Sequence, residues 1–231
     1  MTKKATVNAV AVLAALAASA LGSACASGGS DDPVAIAPAH YAVLVDNADV
    51  RILKITYAPG DKTAMHRHPD GIVIGLNGGK TRFTMPDGKS EDAELATDAA
   101  LYMPAGQHSP ENVGASRLEA ILVEFKRAQP GTATLPAMRD GIAMTPLAEG
   151  SYGSAYRIAA APTFEEPAGT THEYDQVVVA LAPAEVSLSL DGQPPRTKWA
   201  RGDVAFIGRG TPHASKNLSG VAADYILVAI K

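Results

Sequence analysis

One cysteine, Cys25, occurs among the 231 residues, so no disulfide can form within the chain. A folded body must hold together through its core alone, even in an oxidising compartment. Clustered basic residues are missing too. The 20 lysines and arginines are scattered and outnumbered by 24 aspartates and glutamates, for a formal charge of −4. That excludes the basic groove through which a protein tracks nucleic acid. No apolar pattern keeps a 3.6-residue period over a long stretch, which excludes a helical bundle. The G-x-S-x-G turn of a serine nucleophile is absent, as is a glycine-lysine loop for phosphate.

What is present begins with a leader. Lys3 and Lys4 precede an alanine-rich apolar run from Val7 to Ala20, which ends in the small residues Ser23, Ala24, Cys25 and Ala26. A basic start, apolar middle and small-residue exit make a secretory signal, and Ala24 with Ala26 places cleavage after Ala26. The mature chain is then periplasmic or extracellular, with no stable transmembrane segment after processing. Two alternatives stay open. The run could be a membrane anchor, although it is short for one. Cys25 could carry a lipid, although Leu21 stands one residue too far from it. Residues 27–34 are read as a flexible leader, because Ser27 to Asp32 are small and polar.

From residue 35 on, short runs rich in Val, Ile, Leu, Phe and Tyr alternate with glycine and proline turns, the pattern of an all-β body. Val50–Tyr57, Ile72–Leu76, Lys80–Met85, Ala99–Met103 and Leu118–Phe125 are strand candidates in the first half. Ala155–Ala160, Gln176–Leu181, Val186–Leu190, Asp203–Ile207 and Tyr225–Ile230 are their counterparts in the second. Pro86-Asp87-Gly88 and Leu190-Asp191-Gly192 are hairpin turns. Residues 128–149 show little alternation and read as a linker, which separates domains at 35–127 and 150–231.

A repeat supports the division. His68 to Asp87 and His172 to Asp191 both span 19 positions. His68 to His108 spans 40, His172 to His213 spans 41, and Asn112 and Asn217 each follow their histidine by four. Four of the six histidines sit at these markers, and a fifth, His66, stands two residues before one of them. His66 and His68 are two apart, so on an extended strand both imidazoles project from one face. His108, from a distant strand, completes a facial set of three nitrogens. Such a set suits iron, zinc, nickel, copper or manganese in varying degree. Filling the barrel with uncoordinated imidazoles is the plainer alternative.

These residues resemble the two motifs of the cupin superfamily, in tandem. Gly60, His66, His68 and Gly79 match the first motif, and Pro104, Gly106, His108 and Asn112 match the second. Gly202, Gly208, Gly210, His213 and Asn217 repeat the second motif later in the chain. The resemblance implies a bicupin of two double-stranded β-helix (jelly-roll) barrels. The glutamate that usually completes the first motif would fall at Ile72, or at Gly71 or Val73, and none of these can ligate. Asp70 is the nearest carboxylate, and a set of three histidines is preferred to one that includes it. In the second half Thr170 stands in the first histidine place and Gln176 in the glutamate place. Only His172 and His213 remain there, so that set is expected to be degenerate and mainly structural.

Three neutral ligands leave the charge of a divalent ion uncancelled and attract an anionic or chelating small molecule. Cupins with such sets include oxygenases, so the resemblance implies a metal-dependent oxygenase acting on a small organic anion, with iron favoured and zinc, nickel or manganese possible. A non-catalytic small-ligand or structural bicupin, or a cupin isomerase or decarboxylase, is the alternative. A homo-oligomer is compatible with the sequence. Of the other polar residues, Asn112 and Asn217 should hold turns. Gly106 and Gly210 should permit sharp bends. Arg82 should face solvent. Glu119 and Glu124 lie on opposite faces of one strand, so only one can point inward.

Overall fold

A computed structural model of the protein describes residues 31–131 and 139–231. The expected signal and Cys25 lie outside the described residues. No helix among the described residues is long and apolar enough to cross a membrane.

The first half opens with a four-residue helix, α1 (Pro33–Ile36), capped by Asp32, whose carboxylate accepts from the Val34 amide at 2.9 Å. Nine strands follow. They are β1 (Tyr41–Asp46), β2 (Val50–Tyr57), β3 (His66–His68), β4 (Gly71–Asn77), β5 (Gly79–Thr84), β6 (Ser90–Leu95), β7 (Ala100–Met103), β8 (Gly106–Asn112) and β9 (Leu118–Phe125). They form two antiparallel sheets, ordered β1-β2-β9-β4-β7 and β3-β8-β5-β6.

The second half contributes β10 (Ile142–Glu149), β11 (Gly153–Ala160), β12 (Glu165–Thr170), β13 (Asp175–Ala180), β14 (Ala184–Leu190), β15 (Arg196–Trp199), β16 (Val204–Ile207), β17 (His213–Asn217) and β18 (Ala223–Ile230). Its sheets run β10-β11-β18-β13-β16 and β12-β17-β14-β15, the first pair's order shifted by nine strands. The duplication expected from the marker spacing is therefore a duplication of topology. The result is an all-β, two-domain cupin-type fold.

Two boundaries differ from the sequence reading. Residues 142–149, read as part of the linker, are β10, paired with β11. Pro146 and a register shift between Pro146 and Ala148 interrupt the alternation that would have marked a strand. Asp31 and Asp32, read as flexible leader, pair with Arg67 and Arg51.

The two five-stranded sheets meet back to back. Ile52, Ile72, Ile74, Ile121 and Val123 of one half share a single buried cluster with Val177, Val179, Ile226, Val228 and Ile230 of the other. The opposite face of the first sheet holds Leu53, Leu118, Ala120 and Leu122, packed inside its own domain. Both faces of β9 are thus covered, which is why its sequence is nearly continuous in apolar residues rather than alternating. The halves approach closely at Gly153, where an added Cβ would meet the Phe125 ring and the Ala229 carbonyl at 2.8 Å. Arg201 also bridges them, donating to the Leu76 carbonyl at 3.1 Å and pairing with Asp98 at 2.5 Å.

Candidate metal centres

His66 and His68 flank Arg67 on β3, and the strand's pleat sends both imidazoles inward while Arg67 stays exposed. Antiparallel pairing of β3 with β8 sets His66 directly opposite His108. One ligand atom from each of the three lies within 4.8 Å of the others. The rings meet at 4.9–5.3 Å between centroids, and Phe83 closes one side at 4.9 Å from His108. Burial, then the neighbouring His68 and His66, push His108 down to about 3. Burial also lowers His66, against a bond to the Ala64 carbonyl. Both rings are therefore held in the neutral form that ligates.

Their orientation is fixed from behind. His68 Nδ1 donates to Glu124 at 2.6 Å, and Glu124 in turn accepts from Arg51 at 2.5 Å. His66 Nδ1 donates to the Ala64 carbonyl at 2.8 Å. With both Nδ1 atoms engaged, Nε2 is the nitrogen each ring offers to an ion, as is usual behind metal-ligating histidine, and on His66 an ion would take the place of the Tyr41 hydroxyl. Glu124 faces inward because it shares the parity of Leu118, Ala120 and Leu122 on β9. Glu119, of the other parity, pairs with Arg117 at 3.4 Å.

A residue that sequence reasoning missed is Tyr41 on β1. Its hydroxyl donates to His66 Nε2 at 3.0 Å and accepts from Tyr57 at 3.0 Å, and Thr63 supplies the far end at 2.8 Å. Burial raises Tyr41 well above the usual phenol range, so it keeps its proton. No spacing signal marks it, because it acts from a strand well before the first motif. Asp70 is outside the cluster and accepts from the Tyr102 hydroxyl at 2.8 Å. Arg82 pairs with Asp92 across the β5–β6 hairpin at 2.8 Å. Gly210 bends through the left-handed region (φ 70°), whereas Gly106 is not among the positive-φ glycines.

The second half requires a correction. Its set was expected to be degenerate, yet ligand atoms of Glu166, His172 and His213 also lie within 4.8 Å of one another. By register Thr170 does occupy the place of His66, since it pairs with His213. The register slips between Glu166 and Thr170, where Gly169 adopts φ 86°. This bulge turns Glu166 towards the histidines. Pro167 and Gly169 inside a strand were the available signal for it. Burial opposes ionisation of Glu166, but His172, His213 and Arg139 outweigh it and hold the carboxyl below its ordinary range.

No protein-family model matches the chain. It is 34% identical over 86 residues to the beta-alanine degradation protein BauB of Pseudomonas aeruginosa, covering 36% of this chain and 90% of that one. Among solved structures it is similar to AerE of Microcystis aeruginosa (12% identity, TM-score 0.62, 83% of this chain and 97% of that). It is similar also to a cupin 2 conserved barrel domain protein of Leptotrichia buccalis (14%, 0.56, 83% and 88%). The salicylate 1,2-dioxygenase of Pseudoaminobacter salicylatoxidans shares the fold at 12% identity (TM-score 0.58, 80% and 70%).

Proposed function

Because the chain belongs to one family with BauB and has a two-domain cupin-type fold, we propose that it is a metal-dependent oxygenase of small organic anions. The centre of that reaction is His66, His68 and His108. The observation that carries the reading is the convergence of three imidazoles, with Nδ1 of His66 and of His68 engaged elsewhere, which leaves Nε2 as the nitrogen each offers to an ion. A neutral set draws the missing negative charge from a bound carboxylate, enolate or thiolate. Ferrous iron is favoured over zinc, nickel or manganese, and when bound it supplies the one-electron and dioxygen chemistry. The chain's own residues orient and protonate. Glu124 fixes the tautomer of His68, Tyr41 holds a proton beside His66, and Phe83 walls the ring of His108. The names of two similar proteins favour a carboxylate substrate: BauB belongs to degradation of a small amino acid, and the dioxygenase structure contains gentisate. The leader of residues 1–26 sets the reaction outside the cytoplasm.

Oxygen uptake by protein loaded with ferrous iron, measured against a panel of small carboxylates, tests the reading. Uptake with at least one member is expected, and its loss in His108→Ala. The complete burial of His66 and His68 favours a second reading, a closed site that only binds or braces. Tightly held zinc with no uptake across the panel would establish that reading instead.

A further inference from the structure

The second domain holds a cavity of about 60 Å³ between its sheets. Ile158, Val178, Leu188, Trp199 and Leu227 form its apolar wall, and Arg139, Glu166 and His213 its polar end. That volume gives room for about four to six water-sized centres, the body of a very small organic molecule.

The polar end is incomplete as it stands. Nε2 of His172, Nε2 of His213 and Nε of Arg139 are all buried without a hydrogen-bond partner. His213 is 3% exposed, and its Nδ1 is already committed to the Thr211 carbonyl at 3.1 Å. Buried polar groups are ordinarily satisfied, so these orphans, with the Tyr174 hydroxyl as a fourth, call for partners. The Glu166 oxygens lie 3.4 Å from His172 Nε2 and 3.6 Å from His213 Nε2. Those gaps are long for charge-assisted hydrogen bonds. Separations of that size, one to each carboxylate oxygen, suit ligand atoms that share one ion, which stand about 3.4 Å apart when metal–ligand bonds are about 2.0–2.2 Å. An ion there would leave Arg139 Nε still in want of an acceptor, since Arg139 meets Glu166 through Nη1.

We propose that Glu166, His172 and His213 form a second metal site at the polar end of this cavity, and that it binds a small carboxylate with a short apolar body. One carboxylate oxygen sits on the ion and the other accepts from Arg139 Nε, while the hydrocarbon lies against Leu188 and Trp199. Two histidines and a carboxylate leave a divalent ion with one net positive charge, and the Glu166–Arg139 ion pair keeps a guanidinium beside it. An anionic head suits that balance, and an amine does not. The site is independent of the reaction proposed at His108, because it uses no residue of the first domain.

Trp199 is the single tryptophan of the chain, so its fluorescence reads this cavity alone. Metal-stripped protein is reloaded with zinc and titrated with butyrate, with 1-butanol as the uncharged control. Two zinc ions per chain are expected in the parent protein, and one in Glu166→Gln and in His172→Ala. Butyrate should shift Trp199 emission saturably in the parent and at least tenfold more weakly in both variants. His108→Ala should lose one zinc and keep the Trp199 response. One zinc in the parent that survives Glu166→Gln would overturn the metal site. A butyrate response absent from the parent, equal for 1-butanol, or undiminished in both variants would overturn the carboxylate.

Discussion

At the residue scale, two carboxylates show what burial and parity decide. Glu124 touches no metal-facing atom, yet it fixes which nitrogen of His68 is free. Replacing it by alanine should weaken metal binding at the first cluster by about 10–100-fold. A competitive chelator titration measures this, and a loss below about threefold would reduce Glu124 to packing. Asp32 provides the pH dependence. Burial would raise it, but Arg51 and the Val34 and Ala35 amides hold it below the ordinary aspartate range. A carboxylate depressed in the folded state contributes stability above its unfolded value and loses it as pH falls through the folded value. Asp32→Asn keeps the helix cap but removes the charge. Its destabilisation in urea should therefore be full at neutral pH and shrink progressively below about pH 4. A penalty that did not change with pH would show that the charge is immaterial. The three histidines of the first cluster were legible in the sequence because ligand spacing on a strand leaves a period of two. Glu124 was half legible, since parity gave a choice of two faces without saying which was inside. Tyr41 was illegible, because a single phenol on an early strand has no spacing partner.

At the element scale, the strands read correctly were those with buried faces, such as β2 and β9. The ones missed have a physical reason. Five of the six residues of β6 are charged or small and most are exposed, because it is an edge strand that turns only Ala93 and Leu95 part-way inward. In β12 the bulge breaks the alternation and hides Glu166. Turns were more legible: Gly88 (φ 82°) and the pair Asp191 and Gly192 (φ 44° and 70°) take the left-handed conformations that their hairpins need. Asn112 is an element-scale device. Its amide donates to the Tyr57 carbonyl at 3.0 Å and the Ser116 carbonyl at 2.9 Å, and its oxygen accepts from the Gly114 amide at 3.0 Å. Asn217 repeats the device, bonding the Val221 carbonyl at 2.8 Å and the Ser219 amide at 2.9 Å. Asn112→Ala strands buried backbone groups and should cost about 2–4 kcal/mol of unfolding free energy. Calorimetry or urea titration checks this, and a cost under about 0.5 kcal/mol would contradict the role.

At the scale of the whole molecule, the duplicated strand order makes two sites of one plan, and the shared core between the five-stranded sheets joins them into one body. The duplication was legible from markers 40 and 41 residues apart. The shared core was not, because a sequence run buried on both faces does not say what covers each face. The two sites have diverged in charge: three neutral ligands in the first, two neutral and one anionic in the second. The first of them is proposed to be a metal centre in its own right. The most direct measurement is the iron retained by Glu166→Gln protein after anaerobic loading and desalting, with and without His108→Ala. About one iron per chain is expected in Glu166→Gln and almost none in the double variant. No iron in Glu166→Gln, or a full equivalent surviving His108→Ala, would contradict it.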